Sequence, residues 1–332
     1  MFIFGHKLKL KDFFSHERYV FFMRQIIVKG TNGTSRISAC LYEPVGEVKG
    51  IIYFAHGVTE YAERHDEFLK YLSNLGFVVV ANDHMGHGNS TSEAKMYFTG
   101  TNTMTGWECA VGDAFRCISN IKEEHPNVPV HAIGFSLGSF IVRHLAIKYH
   151  DLFSSITLLG TGYQGNLAIK LGKMMADSEI KKFGDKKGTA KIDGLTFGTY
   201  NKRFEQKTYA DWLCANKKSL QEYLNDKRVG PGFTAGLFLD LLSGMHFTCD
   251  KKNIAKMNKK CPVLMVSGSQ DAVGDFTKGV YKLQKIYNDN GISATAKTFS
   301  GMRHDVLHET GKHNVHFEVA NFILSNTKGA KK

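Results

Sequence analysis

Several features that mark other classes of protein are missing from this chain of 332 residues. It contains only 5 prolines, and no low-complexity tract or internal repeat interrupts it. Its apolar runs fall well short of the about 20 residues that a membrane-spanning helix needs. The composition therefore argues against disordered, repetitive and membrane-spanning architectures. With 42% apolar residues, the chain can build the core of one large domain or two small ones.

The cysteines have neither the density of a disulfide scaffold nor the spacing of a metal site. Six are scattered along the chain without a Cys-x-x-Cys pair, namely Cys40, Cys109, Cys117, Cys214, Cys249 and Cys261. This pattern is typical of buried thiols in a reducing compartment. At the N-terminus, lysine and aspartate interrupt the apolar run that a secretion signal needs. We therefore predict a soluble, cytoplasmic protein without metal ligands.

The positive charge of the chain is concentrated in one segment. The formal net charge is +12, and residues 165–260 hold 19 lysines and arginines against 10 acidic residues. The basic residues form scattered pairs without a motif that reads nucleic acid, so we expect no nucleic-acid partner. Two interpretations of the segment stay open. It is either a solvated face that keeps the protein soluble, or a surface that attracts phospholipid head groups or fatty-acid anions.

Short apolar runs alternate with helical patterns along most of the chain. The predicted strands are Phe22–Lys29, Ser35–Tyr42, Gly50–Ala55, Phe77–Ala81, Val130–Gly134, Ser155–Gly160, Val263–Gly268 and Ala294–Phe299. The predicted helices are Asp66–Leu75, Thr105–Glu123, Leu137–Tyr149, Phe276–Tyr287 and His313–Leu324. Strands and helices in alternation predict an α/β fold, with a mostly parallel sheet covered by helices on both faces.

One interval interrupts this alternation. Between about residue 161 and residue 260 the sequence offers helices and glycine-rich loops but no convincing strand. We therefore predict a core built from residues 20–160 and 261–328. Residues 161–260 are expected to form a cap over the carboxyl ends of the strands, where ligands bind in such sheets.

Residues 134–138 read Gly-Phe-Ser-Leu-Gly, between a predicted strand and a predicted helix. A serine on such a sharp turn is typical of a nucleophile elbow. Gly134 and Gly138 have a steric reason to be there, because a side chain at either position would clash as helix packs against strand. We therefore predict that Ser136 is a nucleophile. A serine hydroxyl is a poor nucleophile at neutral pH, so it needs a base and an acid that orients the base.

The acid and the base are expected after the serine, each on a loop that follows a late strand. Asp271 and His304 follow the last two predicted strands in this order. Asp275 is an alternative acid, but it is better explained as the N-cap of a helix that begins at Phe276. His308 is an alternative base, which we expect on the following turn.

A tetrahedral intermediate also needs backbone amides that stabilise its oxyanion. One is expected from Leu137, directly after the nucleophile, at the start of a helix whose dipole favours negative charge. The other is expected from the loop His56-Gly57-Val58, with Val58 as the better donor. His56 lies too early in the chain to be the base, and we expect it to brace this loop.

Taken together, these motifs resemble those of monoacylglycerol lipases and lysophospholipases, in the serine-aminopeptidase-like branch of the α/β-hydrolases. The resemblance covers residues 22–325 and depends on His56-Gly57-Val58-Thr59-Glu60 with Arg64, Asp83-His84-Met85-Gly86-His87-Gly88-Asn89-Ser90, Ser136, Asp271 and His304. It implies an eight-stranded sheet, a helical cap, no cofactor, and hydrolysis of esters with one long acyl chain. It also assigns Ser136, Asp271 and His304 to the catalytic triad, and the amides of Val58 and Leu137 to the oxyanion hole. The Asp83 motif would only shape a loop beside the site.

Two features depart from the usual pattern of that family. Phe135 and Leu137 stand where the family more often has His and Met, which leaves the triad intact because Leu137 would donate only its backbone amide. Tyr61 stands after Glu60, where His is usual, and we expect it to alter the wall of the acyl-binding site.

The leading interpretation is a serine hydrolase that cleaves monoacylglycerols or lysophospholipids through an acyl-enzyme. A peptidase or amidase is an alternative that the basic cap disfavours, because a free amino terminus needs an acidic partner. A non-catalytic binding protein of the same fold is another alternative, which the complete triad disfavours. A tunnel for the acyl chain is expected between apolar clusters of the cap at Leu167–Leu171, Leu195–Phe197, Trp212–Leu213 and Phe233–Met245. A bulky side chain at Gly236 should shorten this tunnel. The sequence leaves the oligomeric state open.

Overall fold

A computed structural model describes residues 21–91, 97–229 and 234–327. Residues 20 and 328, the ends of the predicted core, lie outside this range. Phe233 also lies outside it, as do the N-terminal residues for which the sequence predicted no secretion signal. Within the described residues, the longest helices are not apolar enough to cross a membrane.

The centre of the fold is a sheet of eight strands in the order β1-β2-β4-β3-β5-β6-β7-β8. The strands are β1 (Phe21–Lys29), β2 (Arg36–Pro44), β3 (Gly50–Ala55), β4 (Phe77–Asn82), β5 (Val130–Phe135), β6 (Ser155–Leu159), β7 (Val263–Gly268) and β8 (Ala294–Phe299). Strand β2 runs antiparallel to both β1 and β4, and the other neighbouring pairs are parallel. The prediction of a mostly parallel, eight-stranded α/β-hydrolase sheet is confirmed.

Helices before β6 and after β7 cover both faces of this sheet, and further helices lie between these two strands. They are α1 (Asp66–Asn74), α2 (Gly106–Glu124), α3 (Leu137–Lys148), α4 (Asn166–Phe183), α5 (Ala190–Asp193), α6 (Thr199–Asn201), α7 (Lys217–Asn225), α8 (Ala235–Cys249), α9 (Lys251–Ile254), α10 (Lys278–Asp289) and α11 (Lys312–Ser325). Phe68 of α1 and Val319 of α11 belong to the buried cluster on one face. Ile118 of α2, Ile141 of α3 and Leu283 of α10 belong to the cluster on the other.

Burial on both faces of the sheet explains why the central strands are mostly apolar. Each residue of β3, β4, β5, β6 and β7 is buried. Successive side chains of a strand point to opposite faces, so Ile51 and Tyr53 join one core while Ile52 and Phe54 join the other. A parallel sheet covered on both faces therefore favours apolar residues in these strands, and a polar pair such as His131 and Ser155 is buried with its atoms 2.8 Å apart.

The interval between β6 and β7 contains α4 to α9, and none of its described residues joins the sheet. One isolated bridge connects Gly188 and Thr234. Helix α8 packs on both α3 and α4. The fully buried Arg143 of α3 fastens this interval, because its guanidinium donates to the carbonyl of Thr248 at 2.8 Å and to that of Gly162 at 3.1 Å. We refer to residues 161–260 as the insertion.

The two glycines of the elbow allow a close approach between β5, α3 and β3. A Cβ atom on Gly138 would lie 2.1 Å from the carbonyl oxygen of Ala55, and one on Gly134 would lie 2.4 Å from the carbonyl oxygen of Gly138. Backbone atoms cannot move aside as a flexible side chain can. The flanking glycines of the motif are therefore required by packing, as predicted.

We predict that Gly138→Ala lowers the free energy of unfolding by at least about 3 kcal/mol, because the added methyl group overlaps backbone atoms of β3. Gly194→Ala is the matched control, since a Cβ there meets no atom within 4 Å. The control should change stability by less than about 1 kcal/mol. Urea unfolding measures both variants, and a Gly138→Ala variant as stable as the control would contradict this packing argument.

Candidate active site

Ser136 lies on the turn between the last residue of β5 and the first residue of α3. Its backbone has φ 51° and ψ −116°, a conformation that is strained for a residue other than glycine. The surrounding structure holds it there. Its amide donates to the carbonyl of Leu159 at 2.9 Å, and its carbonyl accepts from the amide of Ser139 at 2.9 Å and from the Ser139 hydroxyl at 2.6 Å. The half-buried side chain lines two adjoining cavities.

Asp271 and His304 are buried and contact each other directly. The Nδ1 atom of His304 lies 2.9 Å from Oδ1 of Asp271. An ionised carboxylate can only accept, so Nδ1 carries the proton and Nε2 has a free lone pair. The same Oδ1 accepts from the amide of Val273 at 2.9 Å, which fixes the carboxylate. Nε2 of His304 is buried and has no hydrogen-bond partner among the described residues.

Aromatic rings and one glycine fix the position of the His304 imidazole. Its ring centroid lies 5.0 Å from that of Phe135 and 5.1 Å from that of Trp212. A Cβ on Gly160 would lie only 2.8 Å from Cε1 of His304. Gly160 ends the β6 segment with φ 56°, so the imidazole packs where any other residue would collide with it. Trp212 brings the insertion into contact with this ring.

Three of the predicted site residues line one small cleft. Val58, Ser136 and His304 surround a volume of about 20 Å³, and Asp271 lies behind the imidazole. Leu137 lines the larger adjoining cavity together with Ser136 and Val58. The amide of Leu137 is the first in α3, where an α-helix leaves its N–H groups without partners in the helix. The structure thus brings all five predicted residues to the same place.

The prediction that Asp275 caps a helix beginning at Phe276 is wrong. The helix α10 begins at Lys278, and its N-cap position is Thr277. Asp275, Phe276 and Thr277 instead have φ values of 48°, 51° and 77°. The amide of Phe276 donates back to the carbonyl of Asp271 at 2.8 Å, so these residues form a left-handed turn before the helix. Helical periodicity in the sequence does not reveal such a turn.

The two other histidines that were considered as the catalytic base, His308 and His56, make structural contacts. His308 lies on a turn, as expected, with Nδ1 2.9 Å from Oδ1 of Asp305 and Nε2 3.0 Å from the carbonyl of Arg64. Both of its ring nitrogens are therefore engaged away from Ser136. His56 donates from Nδ1 to the carbonyl of Gly57 at 2.7 Å and accepts at Nε2 from the amide of His84 at 2.9 Å. Burial lowers the pKa of His56 well below its ordinary value, so the ring braces the loop as a neutral imidazole.

The Asp83 motif shapes the loop next to Val58. Its carboxylate accepts from the amide of Ala62 at 2.8 Å and from the amide of Asn89 at 2.7 Å. A Cβ on Gly88 would lie 2.3 Å from Oδ2 of Asp83. The aspartate thus joins two loops through backbone amides, and the motif contributes shape rather than a reacting group.

A larger apolar cavity adjoins the cleft, and a polar pocket lies next to it. The apolar cavity has a volume of about 410 Å³ and shares Val58, Ser136, Phe197 and Trp212 with the cleft. Most of its wall comes from the insertion, including Ile169, Met175, Leu195, Phe238, Leu242 and Met245. The polar pocket has a volume of about 320 Å³ and meets the cleft at Tyr223.

One sequence-based expectation about these walls is wrong, and the position of Tyr61 is specific to the polar pocket. Gly236 does not line the apolar cavity, and a Cβ there would lie 3.0 Å from the carbonyl oxygen of Asp185. Tyr61 lines the polar pocket rather than the wall of the apolar cavity. Its hydroxyl donates to Asp226 at 2.5 Å, and the guanidinium of Arg228 lies 3.7 Å from its ring centroid. Tyr61 therefore fastens the insertion to the loop that carries Val58.

A buried ion-pair network, which sequence reasoning missed, joins the Val58 loop to the His304 loop. Arg64 lies 2.9 Å from Oε2 of Glu60 and 2.7 Å from Oδ2 of Asp305. Glu60 also accepts from the amide of Gly57 at 2.6 Å. Burial alone would raise the pKa of Asp305, but Arg64 and His308 outweigh it and hold that pKa well below its ordinary value. Asp305 directly follows His304, but only the fold places Arg64 beside it.

Comparisons with known proteins identify the family of this chain. A family model described as serine aminopeptidase, S33, matches residues 46–311. The chain belongs to this family. It is 24% identical over 292 residues to a monoglyceride lipase homolog of Monkeypox virus, covering 87% of this chain and 95% of that protein. It is 25% identical over 279 residues to the monoglyceride lipase of Mus musculus, covering 83% and 82%.

Among solved structures, a thermostable carboxyl esterase from Bacillus coagulans in complex with glycerol shares the fold. Its TM-score is 0.81 at 23% identity, and the alignment covers 91% of this chain and 97% of the esterase. The predictions of an α/β-hydrolase fold, of a resemblance to monoacylglycerol lipases and of an ester hydrolase are thereby confirmed.

We predict that Arg64→Met lowers the free energy of unfolding by about 3–5 kcal/mol, because two buried carboxylates lose their cation. Lys70→Met is the matched control, because Lys70 pairs with Asp66 at the surface. This substitution should lower the free energy of unfolding by less than about 1 kcal/mol.

The effect of Arg64 should depend on pH in a defined direction. Its contribution through Asp305 is fully present above the ordinary carboxyl pKa of 3.8 and is lost as acid protonates Asp305 in the folded protein. Denaturant unfolding at several pH values should therefore show that the difference in the free energy of unfolding between wild type and Arg64→Met becomes smaller toward acidic pH. A difference that grows toward acidic pH, or one no larger than that caused by Lys70→Met, would contradict the network.

Proposed function

We propose that this protein is a serine hydrolase that cleaves monoacylglycerols or lysophospholipids, with Ser136, Asp271 and His304 as its catalytic triad. One observation carries the proposal. The cleft that contains Ser136 and the free Nε2 of His304 shares four lining residues with an apolar cavity and shares Tyr223 with a polar pocket. An ester with a long acyl chain and a polar alcohol matches this arrangement end to end.

The chemistry follows from the proton positions. Nε2 of His304 takes the proton of the Ser136 hydroxyl as its oxygen attacks the ester carbonyl carbon. Asp271 stabilises the imidazolium that forms, and it holds the ring in the tautomer that leaves Nε2 free. The imidazolium then donates its proton to the alcohol oxygen as the ester bond breaks. Water, activated by the same imidazole, releases the fatty acid from Ser136.

Backbone amides of Val58 and Leu137 stabilise the oxyanion of each tetrahedral intermediate in this proposal. Leu137 donates from the N-terminus of α3, where the helix dipole favours negative charge. Val58 lines both the cleft and the apolar cavity, on the loop braced by His56 and Glu60. Losing one such donor typically costs about 10²- to 10³-fold in turnover.

The insertion serves as the lid of this enzyme in our proposal. Its inner side supplies most of the wall of the apolar cavity. On its outer side, Leu167 and Met174 of α4 are exposed near Lys170 and Lys173 in the sequence. Apolar side chains flanked by lysines suit transient contact with an anionic lipid surface that presents the substrate. This contact stays a prediction.

Peptidase activity is the second candidate, because carboxylates line the polar pocket. Glu67, Glu222 and Asp226 could hold the free amino group of a peptide. Two of them are already engaged, since Glu67 pairs with Lys312 at 2.6 Å and Asp226 accepts from Tyr61. The apolar cavity beside Ser136 also offers nothing to a short peptide. We therefore favour ester hydrolysis, and a substrate panel separates the two.

We predict that Ser136→Ala lowers ester hydrolysis by about 10⁴-fold or more and abolishes labelling by a fluorophosphonate probe, because the attacking oxygen is gone. The panel contains monoacylglycerols, lysophospholipids, aryl esters and aminoacyl anilides. Esters should be cleaved and the anilides should not. Labelling retained by a Ser136→Ala variant with a normal melting curve would exclude Ser136 as the nucleophile. Cleavage of anilides in preference to esters would favour the peptidase.

Asp271→Asn should lower kcat by about 10³- to 10⁴-fold, because His304 loses the partner that fixes its tautomer and stabilises its cation. Asp275→Asn removes a carboxylate from the same loop and is the matched control. Asparagine tolerates the positive φ at this position, so the control should keep its turnover and change stability by less than about 0.5 kcal/mol. If Asp275→Asn were the more damaging variant at equal folding, the two assignments would have to be exchanged.

The wild-type kcat/KM for aryl esters should rise from acetate to decanoate, by up to roughly four-fold per methylene that enters the apolar cavity. Met175→Trp narrows that cavity and should weaken the preference for long chains while leaving acetate hydrolysis intact. The neighbouring Met174 is 67% exposed, so Met174→Trp is the control and should leave the profile unchanged. The proposed acyl site would be excluded if the wild-type kcat/KM, measured below the micelle concentration of each ester, stayed constant or fell with increasing acyl length.

A further inference from the structure

We propose that Glu67, His313 and His316 form a binding site for a divalent transition metal such as Zn²⁺, between helices α1 and α11. The site lies outside the catalytic cleft and does not depend on the proposed function, although Glu67 also lines the polar pocket. Spacing along the chain does not predict it, because Glu67 is far from the two histidines in sequence and reaches them only through the packing of α1 on α11.

The three side chains converge from two helices. Each offers a ligand atom, and these atoms lie within 4.8 Å of one another. His313 and His316 are three residues apart on α11, which places them on the same face of the helix. Glu67 is in the first turn of α1, and its Oε1 lies 4.0 Å from Nδ1 of His313. Small rotations of the two exposed side chains would bring the atoms to metal-ligand distances.

His316 carries the strongest indication of a ligand. The residue is only 1% exposed, and its Nε2 has no hydrogen-bond partner among the described residues. The ring bonds to the backbone of Leu307, which leaves Nε2 as the free atom. A ligating histidine commonly donates its other N–H to a backbone carbonyl in this way.

The donor set selects the class of metal. Two imidazoles and one carboxylate suit Zn²⁺, Ni²⁺ or Cu²⁺, whereas Mg²⁺ and Ca²⁺ prefer oxygen ligands alone. Glu67 and His313 are 57% and 47% exposed, so an ion can reach the site from solvent and keep water in its remaining positions.

Lys312 opposes the binding of a cation and supplies a sharp test. Its Nζ lies 2.6 Å from Oε2 of Glu67, while Oε1 is the oxygen on the His313 side. The ammonium group repels an incoming metal and competes for the carboxylate. Removing this charge should therefore strengthen metal binding, an effect that a purely structural role of the three residues would not produce.

Zinc titration by calorimetry, on the full chain without an affinity tag at neutral pH, tests the site. We expect His313→Gln to weaken the tightest zinc binding by at least about 100-fold. Removing a hydrogen-bond partner of a metal ligand typically lowers metal affinity by about 10- to 100-fold, and removing the ligand itself should lower it more. Lys312→Met should tighten binding by about five-fold. The exposed His150, far from α11 in the sequence, gives the control His150→Gln, which should bind as the wild type does.

Glu67→Gln gives an independent check, because it changes an exposed residue and should leave the fold intact while weakening zinc binding. Zinc should also raise the melting temperature of the wild type in a concentration-dependent way, and Mg²⁺ should not. The proposal would be overturned by wild-type zinc affinity in both His313→Gln and Glu67→Gln, or by weaker binding in Lys312→Met. It would equally be overturned if the folded wild type bound no zinc.

Discussion

The strained turn at Ser136 is the constraint on which the rest of the structure depends. Its positive φ turns the chain from β5 into α3 within one residue. That turn requires glycine at positions 134 and 138, where backbone atoms of neighbouring segments leave no room for a side chain. The strain persists because Ser136 donates its amide proton to the carbonyl of Leu159 and accepts two hydrogen bonds from Ser139, which hold both sides of the residue. The hydroxyl is thereby presented at the carboxyl edge of the sheet.

The other site residues reach that edge by their own strand ends, and buried polar contacts lock their loops together. Arg64 joins the Val58 loop to the residue after His304. Glu309 accepts from the amides of Arg303, Ala215 and Asn216, so the insertion is fastened to the His304 loop as well. A cleft assembled from loops of distant sequence thus keeps one geometry, because each loop is tied to the next through a buried carboxylate.

Much of the fold could be predicted from the sequence, and physical reasons separate what could from what could not. The buried strands were placed to within about one residue, because burial on both faces favours runs that are mostly apolar. The order of Ser136, Asp271 and His304 followed from the order of the strands. The beginning of α10 was missed because three residues with positive φ precede it, and periodicity carries no information about such a turn.

The roles of side chains that meet only in the folded chain were also out of reach. The partners of Tyr61 lie in the insertion, and no local pattern assigns Asp226 or Arg228 to it. The pairing of Arg64 with Asp305 has the same character. Gly236 lies in an apolar segment that does contribute to the cavity, but helix geometry turns this residue toward Asp185. Sequence pattern located the apolar segments, and packing decided which residues face the cavity.

The acyl-enzyme on Ser136 is the central claim of this account, and rapid acid quenching during turnover of a long-chain aryl ester tests it most directly. Mass spectrometry of the digested protein should find the acyl group on the peptide that contains Ser136. The phenol should be released in an initial burst of about one equivalent per chain as this acyl group is transferred. Hydrolysis at full rate with no acylated peptide, or with the acyl group on another residue, would contradict the account.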